Sequence, residues 1–401
     1  MNVARITKTY HSMRAHFWRA RGVALVGAAL LCAQPAAAQN VPGVTDKEVH
    51  LGGVMALAGP VRFVTEPMDR AMRSVFNDVN SRGGVHGRQI KWVLEDDAYQ
   101  PARTLAGVKK LVERDGVFAI VGLVGAPTTA AVLPYISQAN VPLIGINGMP
   151  DPVPKYGFGL QASYSDLMYR LTRYLVSTVG VKKLGYIFQN DDLGEFGRRG
   201  ILRALKELRA EQVLVADVGY ERGSTEYTTQ VLRLRDAGAE AVIAVGTLGS
   251  VATGIKQAAS IGYKPTWGTF GIGSTATMQT LLGDLVEGLT FAMETEAETS
   301  PSPNVQKAAK LLQQNFPGTR LDFNAMMGYS VAELAVKALQ AAGRDVTRDK
   351  FVQAIESLRK YQGDVMAVSF STSKHTGADS VRIYQWKNGR MTPVSDAQPI
   401  D

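Results

Sequence analysis

Cysteine is all but missing: Cys32 stands alone among 401 residues. A single thiol cannot build an intramolecular disulfide framework, and Cys32 falls in an N-terminal segment expected to be removed, so no cysteine nucleophile is open to the rest of the chain. Histidine is scarce as well, with His11 and His16 in that same segment and His50, His86 and His375 at no metal-ligand spacing, so no metal site is expected. There is no Gly-x-Ser-x-Gly elbow for a serine hydrolase and no Gly-Lys-Ser/Thr after a glycine loop for a phosphate cradle. Nor is there an apolar run of about 18 to 20 residues, the length a membrane-spanning helix needs. Together these absences point away from an enzyme and away from a resident cofactor.

The N-terminus holds a different kind of signal. Arg5, Lys8, Arg14, Arg19 and Arg21 precede an apolar stretch from Gly22 to Ala33, and Ala36-Ala37-Ala38 follows. A basic region, a short apolar core and a small-residue cleavage pattern are the parts of a secretory signal peptide, here residues 1–38, with the mature chain starting near Gln39. Leu31 is bulkier than lipoprotein processing at Cys32 would want. The segment carries five of the 44 Lys and Arg and none of the 36 Asp and Glu, so the net charge of +8 falls to +3 without it. The basic balance therefore belongs to targeting, and no nucleic-acid partner is expected.

From Val49 onward, short apolar runs alternate with helical periodicity. Strands are expected at Val49 to Met55, Ile90 to Leu94, Val117 to Val121, Val141 to Ile146, Leu184 to Phe188, Val213 to Val218, Ala241 to Val245 and Thr266 to Phe270. Between the first two, Met68, Ala71, Met72, Val75, Phe76 and Val79 make one apolar stripe, closed by Gly83-Gly84. Strand alternating with helix implies right-handed crossovers and parallel sheets. The stretch from Asn147 to Gly159, rich in Pro and Gly and without periodicity, separates two such series, and Asn388-Gly389 marks a late hairpin. The fold expected is α/β, with two doubly wound parallel-sheet lobes.

In such sheets ligands sit beyond the carboxyl ends of the strands, where the strand order reverses. The loop from Gly122 to Thr129 leads small residues into a helix whose free N–H groups suit a carboxylate, although a plain glycine turn with threonine caps would read the same way. The acidic pairs Asp96-Asp97 and Asp191-Asp192 follow strands. Adjacent strand residues face opposite ways, so capping and turn roles are expected of them rather than acid–base chemistry. Gly271-x-Gly273-x-x-Ala276 lies too late in the chain, and too close to Glu287, to be a dinucleotide fingerprint.

Several strings then resemble the type I periplasmic binding proteins of the branched-chain amino acid (leucine/isoleucine/valine) transport class. They are Val79-Asn80-Ser81-Arg82-Gly83-Gly84-Val85-His86-Gly87-Arg88, Glu95-Asp96-Asp97-Ala98-Tyr99-Gln100-Pro101, Val141-Pro142-Leu143-Ile144, Asn190-Asp191-Asp192-Leu193-Gly194-Glu195-Phe196-Gly197 and Val231-Leu232-Arg233-Leu234-Arg235-Asp236-Ala237-Gly238. The resemblance implies two lobes joined by three crossings, with lobe one at residues 45–162 plus 290–363 and lobe two at 163–289 plus 364–401. It implies a periplasmic solute-binding component of an ABC importer whose partners are a small-molecule ligand and a membrane permease. By position it places Ala126, Thr128, Thr129 and Asn147 to Met149 (with Gly148 between) of the first lobe, and Leu193, Thr247 and Phe270 of the second, at the ligand, where Gly125 of the small-residue loop also stands. No carboxylate stands where that family's amino-acid binders pair the ligand's ammonium. A hydrophobic or aromatic carboxylate is therefore expected instead, with Arg62 also reaching the acid and Phe63 and Phe196 the body. A branched-chain amino acid and a periplasmic sensor role are the rival readings.

Overall fold

Leu51 and Val54 of the first apolar run have no exposed surface, and neither do Ile120, Val121, Leu143 and Ile144 of the third and fourth. Strands buried on both faces belong in a parallel sheet covered by helices, and the computed structural model shows that arrangement twice. It describes residues 41–146, 149 and 154–400; the expected signal peptide, Asn147 and Gly148 lie outside the described residues. Among those described, no helix is long and apolar enough to cross a membrane.

The first sheet contains β1 (Glu48–Met55), β2 (Gln89–Asp96), β3 (Ala119–Leu123), β4 (Leu143–Gly145) and β5 (Gly157–Gly159), all parallel in the order β2-β1-β3-β4-β5. Helices α1 (Arg62–Ser81), α2 (Pro101–Lys109) and α3 (Ala126–Ala139) connect them. The expected stripe on α1 is buried along its whole length. The chain then enters α4 (Tyr164–Arg173) and a second wound series: β6 (Leu184–Gln189), α5 (Asp192–Glu207), β7 (Leu214–Tyr220), α6 (Thr228–Asp236), β8 (Ala241–Val245), α7 (Leu248–Ser260), β9 (Thr266–Phe270), α8 (Ala276–Leu282) and β10 (Thr290–Met293). Helices α9 (Pro303–Asn315), α10 (Phe323–Ala342) and α11 (Arg348–Glu356) return to the first lobe, followed by the small pair β11 (Tyr361–Gln362) and β12 (Ala367–Val368). Finally β13 (Ser380–Lys387), β14 (Arg390–Pro393) and β15 (Gln398–Pro399) join the second sheet, whose main order is β14-β13-β10-β9-β8-β6-β7. The expected hairpin at Asn388-Gly389 is the β13–β14 turn.

Two expectations shift. The stretch read as unpatterned up to Gly159 ends in β5, which pairs with β4 through Leu143, Ile144 and Gly145. The lobe boundaries expected at 290 and 364 also move: β10 pairs with β9, so that crossing comes after Met293, and the backbone around Thr376 still bridges Gly159 of the first lobe. The crossings are tied together by main-chain hydrogen bonds, with Gly377 N–H donating to Gly159 O at 2.7 Å and Ala378 N–H to Leu160 O at 2.9 Å.

Glu294 sits in the middle crossing, beside Gln161 and Ala162 of the first, with both carboxyl oxygens cut off from solvent. Burial pushes this carboxyl up to about 8, and the neighbouring Gln161 side chain and Ala162 N–H offset only part of the shift. A carboxyl raised by folding holds its proton more tightly in the folded state. Its contribution is complete below the unfolded value and is lost as pH climbs through the folded one. Glu294→Gln should therefore leave stability near that of the parent at about pH 5 and make the protein melt higher than the parent at about pH 9. Thermal denaturation of both across that range checks this; parallel curves would place the ionised carboxylate in water.

Candidate functional site

The strand order reverses between β1 and β3 in the first sheet and between β6 and β8 in the second. The loops leaving these strands wall a cleft of about 600 Å³, part of it open to solvent. Val124 and Gly125 come from the end of β3, Tyr99 from the loop after β2 and Ile146 from the end of β4. The second lobe supplies Leu193, Gly246, Thr247, Leu248, Phe270 and Ile272. Val61, Val64 and Met68, at i, i+3 and i+7, present one face of the α1 segment, while Phe323 and Asn324 begin α10. Among the described residues the wall has no Asp, Glu, Lys, Arg or His.

Local backbone chemistry aims these groups. Asp97 is 1% exposed and its carboxylate accepts from Tyr99 N–H and from the Thr104 hydroxyl, each at 2.8 Å. That turn carries Ala98 and Tyr99 at φ of +47° and +60°, an unusual conformation for residues with side chains, and places the tyrosine ring at the cleft. Burial raises the Asp97 carboxyl and pushes the Tyr99 hydroxyl up to about 12, so the phenol stays neutral. From the other lobe, the Arg222 guanidinium lies 5.4 Å from the centre of the Tyr99 ring and pairs with Asp191 at 2.5 Å. Asp191 also caps α5 by accepting from Leu193 N–H at 3.0 Å. Asp96 and Asp97 thus hold a turn, and Asp191 caps α5 with Asp192 in its first turn.

Gly125, ahead of α3, has φ of +103°, and a Cβ there would come within 2.6 Å of both the Tyr99 ring and Thr128 Oγ1. The N-cap residue of α3 is Gly125 itself, which has no side chain with which to cap the first turn. Elsewhere around the cleft, Ser163, Asp191, Thr247 and Asp322 cap α4, α5, α7 and α10. Gly271 lies against the opposite lobe, where a Cβ would meet the Phe323 ring at 2.4 Å. Close packing between lobes, rather than a dinucleotide turn, accounts for this glycine.

Of the residues expected from sequence, Gly125, Leu193, Thr247 and Phe270 line the cleft. Phe270 meets Tyr164 edge-on with ring centres 5.1 Å apart. Arg62 and Phe63 do not line it: Arg62 pairs with Glu66 at 3.0 Å along the outer face of α1, and Phe63 is 53% exposed. The inward face belongs to Val61 and Val64 instead, one step away in register. Phe196 is half-buried on α5 under the Arg199 guanidinium, 5.0 Å from its ring centre, and is not in the wall. Ala126, Thr128 and Thr129 are buried in the first turn of α3 just behind the wall, where the Thr128 hydroxyl donates to Val124 O and to Gly125 O. Sequence reasoning missed Tyr99, whose signal was the Asp97-Ala98-Tyr99 turn, and also Gln161, Tyr164, Phe323 and Asn324.

Comparison with known proteins agrees with the two-lobed fold. Residues 48–390 match a family model described as periplasmic binding protein. The Leu/Ile/Val-binding protein homolog 8 of Brucella abortus (strain 2308) is 23% identical over 86% of this chain and 90% of its own length. Among solved structures, a fatty acid ABC transporter substrate-binding protein from Thermomonospora curvata aligns with a TM-score of 0.81 at 24% identity, covering 90% of this chain and 95% of that one. A branched-chain amino acid ABC transporter protein from Thermus thermophilus with bound valine aligns with a TM-score of 0.80 at 22% identity, covering 89% and 98%.

Because a side chain at φ of +103° is strained and its Cβ would collide with the Tyr99 ring, Gly125→Ala should cost about 2 kcal/mol or more. A urea denaturation midpoint clearly below that of the parent is the expected result. An unchanged midpoint would mean that the loop relaxes freely.

Proposed function

The chain belongs to the periplasmic binding protein family, and from that premise we propose that it captures a hydrophobic or aromatic carboxylate in the interlobe cleft and delivers it to the permease of an ABC importer. Members of this family bind solutes for ABC transporters and are not enzymes. The periplasmic location that the family implies agrees with the secretory signal read at residues 1–38.

The observation that carries the ligand class is the absence of charged side chains in the cleft wall among the described residues. An α-amino acid brings an ammonium group, and burying it without a counter-charge costs several kcal/mol. A carboxylate has another means of support, the first turn of α3, whose N-cap glycine brings no capping side chain of its own and whose helix dipole favours an anion. Valines, Met68, Leu193, Phe270 and Phe323 would cover an apolar body. Of the two solved relatives, the fatty-acid type therefore fits this wall better than the valine type. Closure about the three crossings would bring Leu193, Thr247 and Phe270 down onto ligand already seated against α3, excluding water.

The matched pair of leucine and isocaproate, which is leucine without its amino group, tests the reading by thermal shift on the purified protein. Isocaproate at 100 times its Kd should add about 2.7 kcal/mol of stability, with little or no shift from leucine. A larger shift from leucine would return the ligand to the branched-chain amino acids.

A further inference from the structure

The largely apolar wall holds a buried polar side chain that is unsatisfied among the described residues. Asn324 is 1% exposed, lines the cleft, and has no hydrogen-bond partner for either its Nδ2 or its Oδ1 among the described residues. It shares the wall with Val61, Val64, Met68 and Phe323. Helix capping does not explain it, because Asp322 already caps α10 by accepting from Ala325 N–H at 3.1 Å. Packing does not explain it either, since the residues that follow, Ala325, Met326 and Met327, are buried and apolar and a leucine would suit the site better. A buried amide with both ends unpaired is costly, so it persists where something else uses it.

We infer that Asn324 is a specificity-determining residue that recognises a second, uncharged polar group on the ligand, one able both to donate and to accept, such as a terminal hydroxyl or primary amide. This deepens the carboxylate reading above and rests on it. A carboxylate only accepts and would be repelled by Oδ1, whereas a hydroxyl or an amide complements both ends of the asparagine at once. The ligand class is thereby narrowed to an apolar acid carrying a neutral polar terminus.

The test compares hexanoate, omega-hydroxyhexanoate and adipic acid monoamide by calorimetry on the purified parent, Asn324→Leu and, as a smaller second variant, Asn324→Ala. The parent should bind the hydroxyl- or amide-ended acid about tenfold or more tightly than hexanoate, because a site built for hydrogen bonding penalises a ligand that leaves it unpaired. Both variants should lose that preference while keeping hexanoate, and ligand-free Asn324→Leu should melt above the parent. Parent preference for hexanoate, loss of hexanoate in both variants, or a lower melting temperature for ligand-free Asn324→Leu would each overturn the inference. If the parent binds none of the three, the carboxylate reading fails, and the ligand-free melting temperature alone decides whether the amide is structural.

Discussion

The cleft depends on one geometric constraint: in a parallel sheet each strand hands the chain to a helix at its carboxyl end, so helix amino ends gather on one side. Two such sheets facing each other bring the starts of α3, α4, α5, α7 and α10 around a single space. Each start carries N–H groups that intrahelical bonding cannot use. Four are capped by the side chains of their N-cap residues, whereas the N-cap residue of α3 is Gly125, which has none. The fold thus supplies a positive end without a cation, and side chains are left to set shape.

The crossings have the opposite task, since they must bend without coming apart. Main-chain bonds tie the first and third, and Glu294 in the second buries a carboxyl that burial keeps protonated at neutral pH. Where Gly271 meets Phe323 and Arg222 covers Tyr99, the lobes already touch across the cleft. Contacts of this kind give a closed form its own stability, which the ligand then has only to tip.

Much of this was legible in the sequence, for identifiable reasons. Ala241–Val245 was readable to the residue because a strand buried on both faces is an unbroken apolar run. Gly125 could be placed at the cleft from the small-residue loop after the third strand, and Leu193, Thr247 and Phe270 from the resemblance to the family. The α1 register could not: whether Arg62 or Val61 turns inward depends on the packing of α1 against α10, whose Gly328 lets Met68 approach within contact. Strand β5 is three residues with two glycines and gives no periodic signal. Asn324 was invisible because its significance lies in lacking partners, a property of the folded surroundings rather than of any motif.

The central claim is that an acid is held in this cleft by backbone at the start of α3, with no charged side chain taking part. A crystal structure of the complex with isocaproate tests it most directly. The account predicts the carboxylate within hydrogen-bond distance of the Ala126 and Thr128 N–H groups and the alkyl chain against Met68, Leu193 and Phe270. A carboxylate paired with Arg222 or with Arg62, or ligand seated outside the cleft, would contradict it.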